Sequence, residues 1–104
     1  MNAKQEFLMA AAWNTQVVCA YVYQLNDRYE AGPTINLPID YTPEEYESFL
    51  NQLDFEYNDG YGGQVLFGTI WFGNGDWATR AEYDGSEWWE IHSRPEIPGY
   101  LKKN

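Results

Sequence analysis

The sequence predicts an α+β fold: an antiparallel sheet of four to five strands, packed by one amphipathic helix over residues 43–53 and a short N-terminal helix. Three observations point there. Runs rich in Val, Ile, Tyr and Trp fill the second half and are separated by Asn74-Gly75 and Asp84-Gly85, both hairpin signals. Thr42-Pro43-Glu44-Glu45 has the form of a helix start. The length, 104 residues, suits one domain that buries a core without disulfides or metal.

The chain opens with Asn2 as a cap and Gln5 three residues on, which starts a helix over 3–12 with Phe7, Leu8 and Ala11 on one side. Residues 15–25, TQVVCAYVYQL, are rich in Val and Tyr and favour a strand. A rival reading runs one helix from residue 3 to Ala31, because apolar residues also recur at helical spacing and Gly32-Pro33 is a good stop. Residues 34–39, TINLPI, form a short strand that Pro38 places at an edge or an end. In the helix that follows, Thr42 caps, Pro43 takes the first position and Glu45 closes a capping box. Tyr46, Phe49, Leu50 and Leu53 then make one apolar stripe.

The last half is an antiparallel meander of QVLFGTIWF, WATRAEY and SEWWEIH. A bulged three-residue turn at Gly85 would put Trp77, Thr79, Ala81 and Tyr83 on the face of Ile70, Phe72, Trp89 and Ile91. The opposite face would then carry Phe67, Trp71, Arg80, Glu82, Trp88, Glu90 and His92. A plain two-residue turn would mix these sets. The tail, RPEIPGYLKKN, suits an irregular strap.

Charge narrows the function. Sixteen acids oppose six bases, a net −10. Between Asp40 and Glu90 there are twelve acids and a single base, Arg80, so that half alone carries −11. Such a field repels nucleic acid and anionic membrane and attracts basic surfaces. No apolar run is long enough for a membrane helix. The N-terminus lacks the charged start and apolar middle of a signal peptide. The lone Cys19 suits a reducing cytoplasm.

Specific chemistry finds little support. Asp54 to Gly63, DFEYNDGYGG, resembles a calcium loop but has Asp59 where the turn glycine belongs and Val65 where the closing Glu belongs. It is expected to bind no metal and to lead from the acidic helix into the next strand. His92 is the only histidine, with Glu90 beside it on the strand, and an exposed strand histidine is the expectation. The glycines at 60–63 precede a strand, whereas phosphate loops follow one. No catalytic residue, metal or cofactor is expected. Trp71, Trp88 and Arg80 share the second face, either as core with Arg80 stacked on Trp88 or as exposed interface anchors.

The carboxylates remain as a surface. In an extended segment, residues two apart lie about 6.6 Å apart on one side, close to the spacing of phosphates along a nucleic-acid strand. Asp54 with Glu56, and Glu82 with Asp84, have that relation, and Tyr46, Tyr57 and Tyr61 are interleaved. The expected partner-binding set is Glu44, Glu45 and Glu47 on the helix, Asp54, Glu56 and Asp59 in the connector, Asp76, Glu82, Asp84 and Glu87 in the hairpins, and Trp71 and Trp88.

The segments INLPIDYTPEEYESFLNQLDFEYNDGYGGQVLFGTIWF and DWATRAEYDGSEWWEIHSRPEIP, about two-thirds of the chain, resemble small acidic proteins encoded by phages and plasmids. The order of strand, Leu-Pro and acidic helix is similar to the first domain of plasmid antirestriction DNA mimics. The resemblance is one of style and carries over no motif. It implies a non-enzymatic inhibitor, of anti-CRISPR or antirestriction type, that acts in the host cytoplasm as monomer or homodimer. Its partner would be a basic nucleic-acid-binding protein or nuclease complex, without direct contact to nucleic acid or membrane. Two alternatives stay open: an immunity protein that neutralises a nuclease toxin, and a module that binds peptide or carbohydrate on an aromatic face.

Overall fold

The structure is a computed structural model that describes residues 2–12, 16–26, 28, 30–57, 64–83, 86–94 and 98–101. The fold is α+β. Helix α1 (Ala3–Ala12) is followed by strands β1 (Val17–Gln24) and β2 (Ile35–Leu37), helix α2 (Pro43–Gln52), and strands β3 (Leu66–Phe72), β4 (Trp77–Tyr83) and β5 (Ser86–His92). The five strands form one antiparallel sheet in the order β2-β1-β3-β4-β5.

The rival continuous helix is excluded, because residues 17–24 pair on both sides within the sheet. Alternating Val, Ala and Tyr suit a pleated surface better than a helix. The Asn2 side chain accepts from the Gln5 backbone N–H at 2.9 Å and caps α1. Its buried stripe is Ala3, Phe7 and Ala10, while Leu8 points outward. Small alanines flanking Phe7 let the helix lie close to the sheet.

Helix α2 begins as its sequence dictates. Thr42 Oγ1 accepts from Glu45 N–H at 3.1 Å, and Glu45 Oε1 accepts from Thr42 N–H at 3.0 Å. Phe49 and Leu53 are buried, with Tyr46 and Leu50 packed against them. The rings of Phe7 and Phe49 meet edge to face with centroids 5.0 Å apart, which joins the helices into one layer. Helix α2 packs on β2 and α1 on β5, so the layer covers opposite ends of the same sheet face.

Register decides what lies under the helices. The β4–β5 ladder runs without a shift from Trp77↔His92 to Tyr83↔Ser86. The expected bulge is therefore absent from the pairing, although Asp84 and Gly85 lie outside the described residues. Directly opposed residues share a face. Ala78, Arg80, Trp89 and Ile91 thus join Ile70 on the helix side, with Arg80 opposite Trp89. Trp77, Thr79, Ala81, Trp88 and His92 join Trp71 on the other side. Arg80 is not a neighbour of Trp88, as the bulged register required.

Two glycines have defined work. Gly75, at φ +91°, forms the β3–β4 turn, which Phe72 N–H closes on the Asp76 carbonyl at 2.9 Å. At Gly68 a Cβ would lie 2.3 Å from the Tyr21 carbonyl oxygen and 3.2 Å from the Trp89 ring. Only glycine allows β1, β3 and Trp89 to approach so closely.

Candidate partner-binding surface

Because both helices lie on one side, the strands present their other face outward. Aromatic side chains dominate it. Tyr23 stacks on Phe67 at 5.3 Å and on Tyr21 at 6.5 Å, and Tyr21 lies against Trp71 at 6.0 Å. Trp77 stacks on His92 at 5.5 Å. Trp71 and Trp88 are 42% and 40% exposed, large values for tryptophan. Hydroxyl and imidazole groups sit between the rings. Thr69 Oγ1 donates to Tyr21 Oη at 3.3 Å, and Thr79 Oγ1 lies 2.8 Å from His92 Nε2.

Strand positions on this face include the carboxylate of Glu90 and no Lys or Arg. The next base after β5 is Arg94, two residues past its end. The sheet face is thus rich in π-surface and poor in cations.

The expected acidic surface divides. Glu44 and Glu47 stand exposed on α2, while the Glu45 carboxylate is engaged in the cap. Asp54 and Glu56 are exposed and share one donor, Asn2 Nδ2, at 3.1 and 3.3 Å. This contact, with Ala3 N–H donating to the Phe55 carbonyl at 3.0 Å, ties the segment after α2 to the start of α1. Asp76 accepts from Asn74 Nδ2 at 3.0 Å in the hairpin turn. Glu82 is exposed near the far end of β4. Asp59 and Asp84 lie outside the described residues.

Glu87 is a correction. It was expected at the partner surface, and its side chain is fully buried. Strands β3 and β4 pair from Thr69↔Thr79 to Trp71↔Trp77, whereas the β4–β5 ladder runs on to Tyr83↔Ser86. The start of β3 therefore lacks β4 as a backbone partner, and the Glu87 carboxylate takes that place. It accepts from Val65 N–H at 2.8 Å and Leu66 N–H at 2.9 Å.

Arg80 completes this interior cluster, 3.4 Å from Glu87 Oε1 and 3.4 Å from Glu6 Oε2. Its guanidinium lies over Trp89 at 5.2 Å and Tyr57 at 5.8 Å. Tyr57 is also buried, contrary to the expected place among surface acids. Its hydroxyl donates to Glu6 Oε1 and accepts from Arg80 at 2.8 Å. Burial first, and the hydrogen bond to Glu6 second, push its phenol well above the usual tyrosine range. Tyr46 is half-buried and stacks on Tyr41 at 5.4 Å; Tyr61 lies outside the described residues.

Among the described residues, no group of three His, Cys, Asp or Glu could hold a metal; residues 58–63 of the calcium-like stretch lie outside them. No helix among them is long and apolar enough to cross a membrane. Sequence reasoning singled out Trp71 and Trp88 but passed over Tyr21, Tyr23 and Trp77 as members of the same face. The signal was the period-two placement of aromatics in AYVY and LFGTIWF. A comparison with protein-family models, curated proteins and solved structures finds no match to this chain.

Proposed function

We propose that this chain is a non-enzymatic inhibitor that binds the basic, nucleic-acid-holding surface of another protein. The observation that carries the reading is the open aromatic sheet face, which has no Lys or Arg at its strand positions, in a chain of net charge −10. Tryptophan and tyrosine are enriched among the residues that anchor protein interfaces. An arginine seated on such a ring gains about 2 kcal/mol or more once water is excluded. The exposed acids of α2, the Asp54–Glu56 segment and the hairpins steer a cationic partner toward the protein. The partner class is a host-defence enzyme, as the resemblance to phage- and plasmid-encoded acidic proteins implies. A nuclease toxin has the same surface chemistry.

A second reading has an observation of its own. Thr69, Thr79 and His92 interleave hydrogen-bonding groups with the rings, an arrangement suited to stacking sugars.

Competition tests the proposal. The protein and labelled DNA or RNA are set against each other for the site of a defence nuclease from its host. Displacement of nucleic acid that weakens with added salt and with Trp71→Ala and Trp88→Ala is the expected result. The reading is abandoned if nothing is displaced, or if neither the tryptophans nor the exposed acids matter to displacement. Saturable quenching of tryptophan fluorescence by glycans would favour the second reading.

A further inference from the structure

Helix α1 and strand β5 flank an open cavity of about 290 Å³, walled by Met9, Trp88, Trp89 and Ile91, with Glu6 and Glu87 as its polar lining. Small-molecule sites span about 300–1,000 Å³, so this one suits a single extended side chain. Three charged groups meet at the carboxylate end: Glu6, Glu87 and Arg80, with Arg80 3.4 Å from each carboxylate. Two carboxylates against one guanidinium leave an excess of one negative charge. Tyr57 adds no charge at neutral pH, because it holds its proton and donates it to Glu6.

The three groups are not equally accessible. The side chains of Glu87 and Arg80 are 0% and 1% exposed, whereas that of Glu6 is 11% exposed. Glu6 is therefore the group that a ligand entering from solvent meets. A partly desolvated carboxylate in a cluster of excess negative charge favours a cation, and apolar walls favour one with a hydrocarbon stem.

We propose that this cavity takes an alkyl guanidinium or ammonium group, supplied by an Arg or Lys side chain of the bound protein. The stem packs against Met9, Trp89 and Ile91, and the head pairs with Glu6. Trp88 lines the cavity and also belongs to the open sheet face, so one bound partner reaches both. The source of the side chain rests on the function proposed above; the chemistry of the cavity does not.

The test is an NMR titration of the labelled full chain with N-acetyl-arginine amide, N-acetyl-lysine amide and the neutral isostere N-acetyl-citrulline amide. Saturable shifts are expected at the Met9 and Ile91 methyls and the Trp89 indole with the two cations. Citrulline should bind about tenfold more weakly, the difference between charged and neutral hydrogen bonding. Met9→Trp should fill the mouth and remove the shifts; Met9 is 65% exposed, so the fold tolerates the change. Equal binding of citrulline, absence of saturable shifts, or shifts unchanged by Met9→Trp would each overturn the inference. If the protein still displaces nucleic acid from its partner while the cavity gives no shift, only this inference fails. Cavity shifts without displacement would refute the proposed function instead.

Discussion

Arg80 and Glu87 face each other inside the protein, Nη2 to Oε1 at 3.4 Å, with side chains 1% and 0% exposed. An acid and the one base of the acidic half of the chain are thereby withdrawn from the surface. Glu87 also holds two backbone N–H groups at the start of β3. Removing Glu87 leaves these two N–H groups without their acceptor and breaks one of the two ion pairs that Arg80 makes.

Glu87→Ala should therefore lower stability by about 3–5 kcal/mol. Glu44→Ala, on the exposed side of α2, should stay within about 0.5 kcal/mol. Urea unfolding of both variants checks this. Equal stabilities would mean that the cluster does not hold β3 to β5.

Tyr57 links stability to alkaline pH. Its folded pKa is raised above the unfolded value of about 10. The folded state thus keeps a proton that the unfolded state releases. This contribution is fully present below about pH 10 and is lost as pH rises above it. Tyr57→Phe removes a hydroxyl that both donates and accepts, and should cost about 1–3 kcal/mol at neutral pH. The variant should also lose stability less steeply than wild type above pH 10. Parallel unfolding curves across that range would contradict the assignment.

Gly68→Ala tests the close approach of three elements. The new methyl would meet the Tyr21 carbonyl at 2.3 Å, a backbone atom that cannot swing aside. Overpacking of this kind costs about 1–3 kcal/mol or more. Thermal unfolding should show a clear drop in midpoint, and an unchanged midpoint would mean that β1 and β3 lie farther apart.

The elements with strong local chemistry were legible in the sequence. Thr42 and Glu45 define their own helix start, and Asn74-Gly75 its turn. The register around Asp84-Gly85 was not legible, because that dipeptide serves both a two-residue turn and a bulged one. A slip of one residue moves every side chain of β4 to the other face, so Trp77 was expected beside Ile70, and Arg80 beside Trp71 and Trp88. Glu87 was expected at the surface for its charge alone. The interior instead holds two charged residues, Arg80 and Glu87. Their burial runs against the rule that charges lie at the surface, and only the long-range gap at the start of β3 explains it. Of the open sheet face, Trp71 and Trp88 were legible as residues on one side of the sheet. Its other rings were hidden among residues that a strand would use equally well as core.

The exposed acids and the rings should act on different steps. Glu44→Lys with Glu47→Lys should slow association and flatten its dependence on salt, since screening acts over about 8 Å at physiological strength. Trp71→Ala and Trp88→Ala should instead speed dissociation. Stopped-flow measurements on the partner separate the two. Identical effects on both rates would mean that steering and anchoring are not divided between these surfaces.

The most direct measurement maps where a basic partner sits. An arginine-rich, nucleic-acid-binding peptide is titrated into the labelled protein, and the tryptophan indole and backbone amide signals are followed. If the open sheet face is the binding surface, Trp71, Trp77 and Trp88 shift and saturate together while the amides of Glu44 to Glu47 change little. Saturating shifts on α2 with the three indoles unmoved would contradict it.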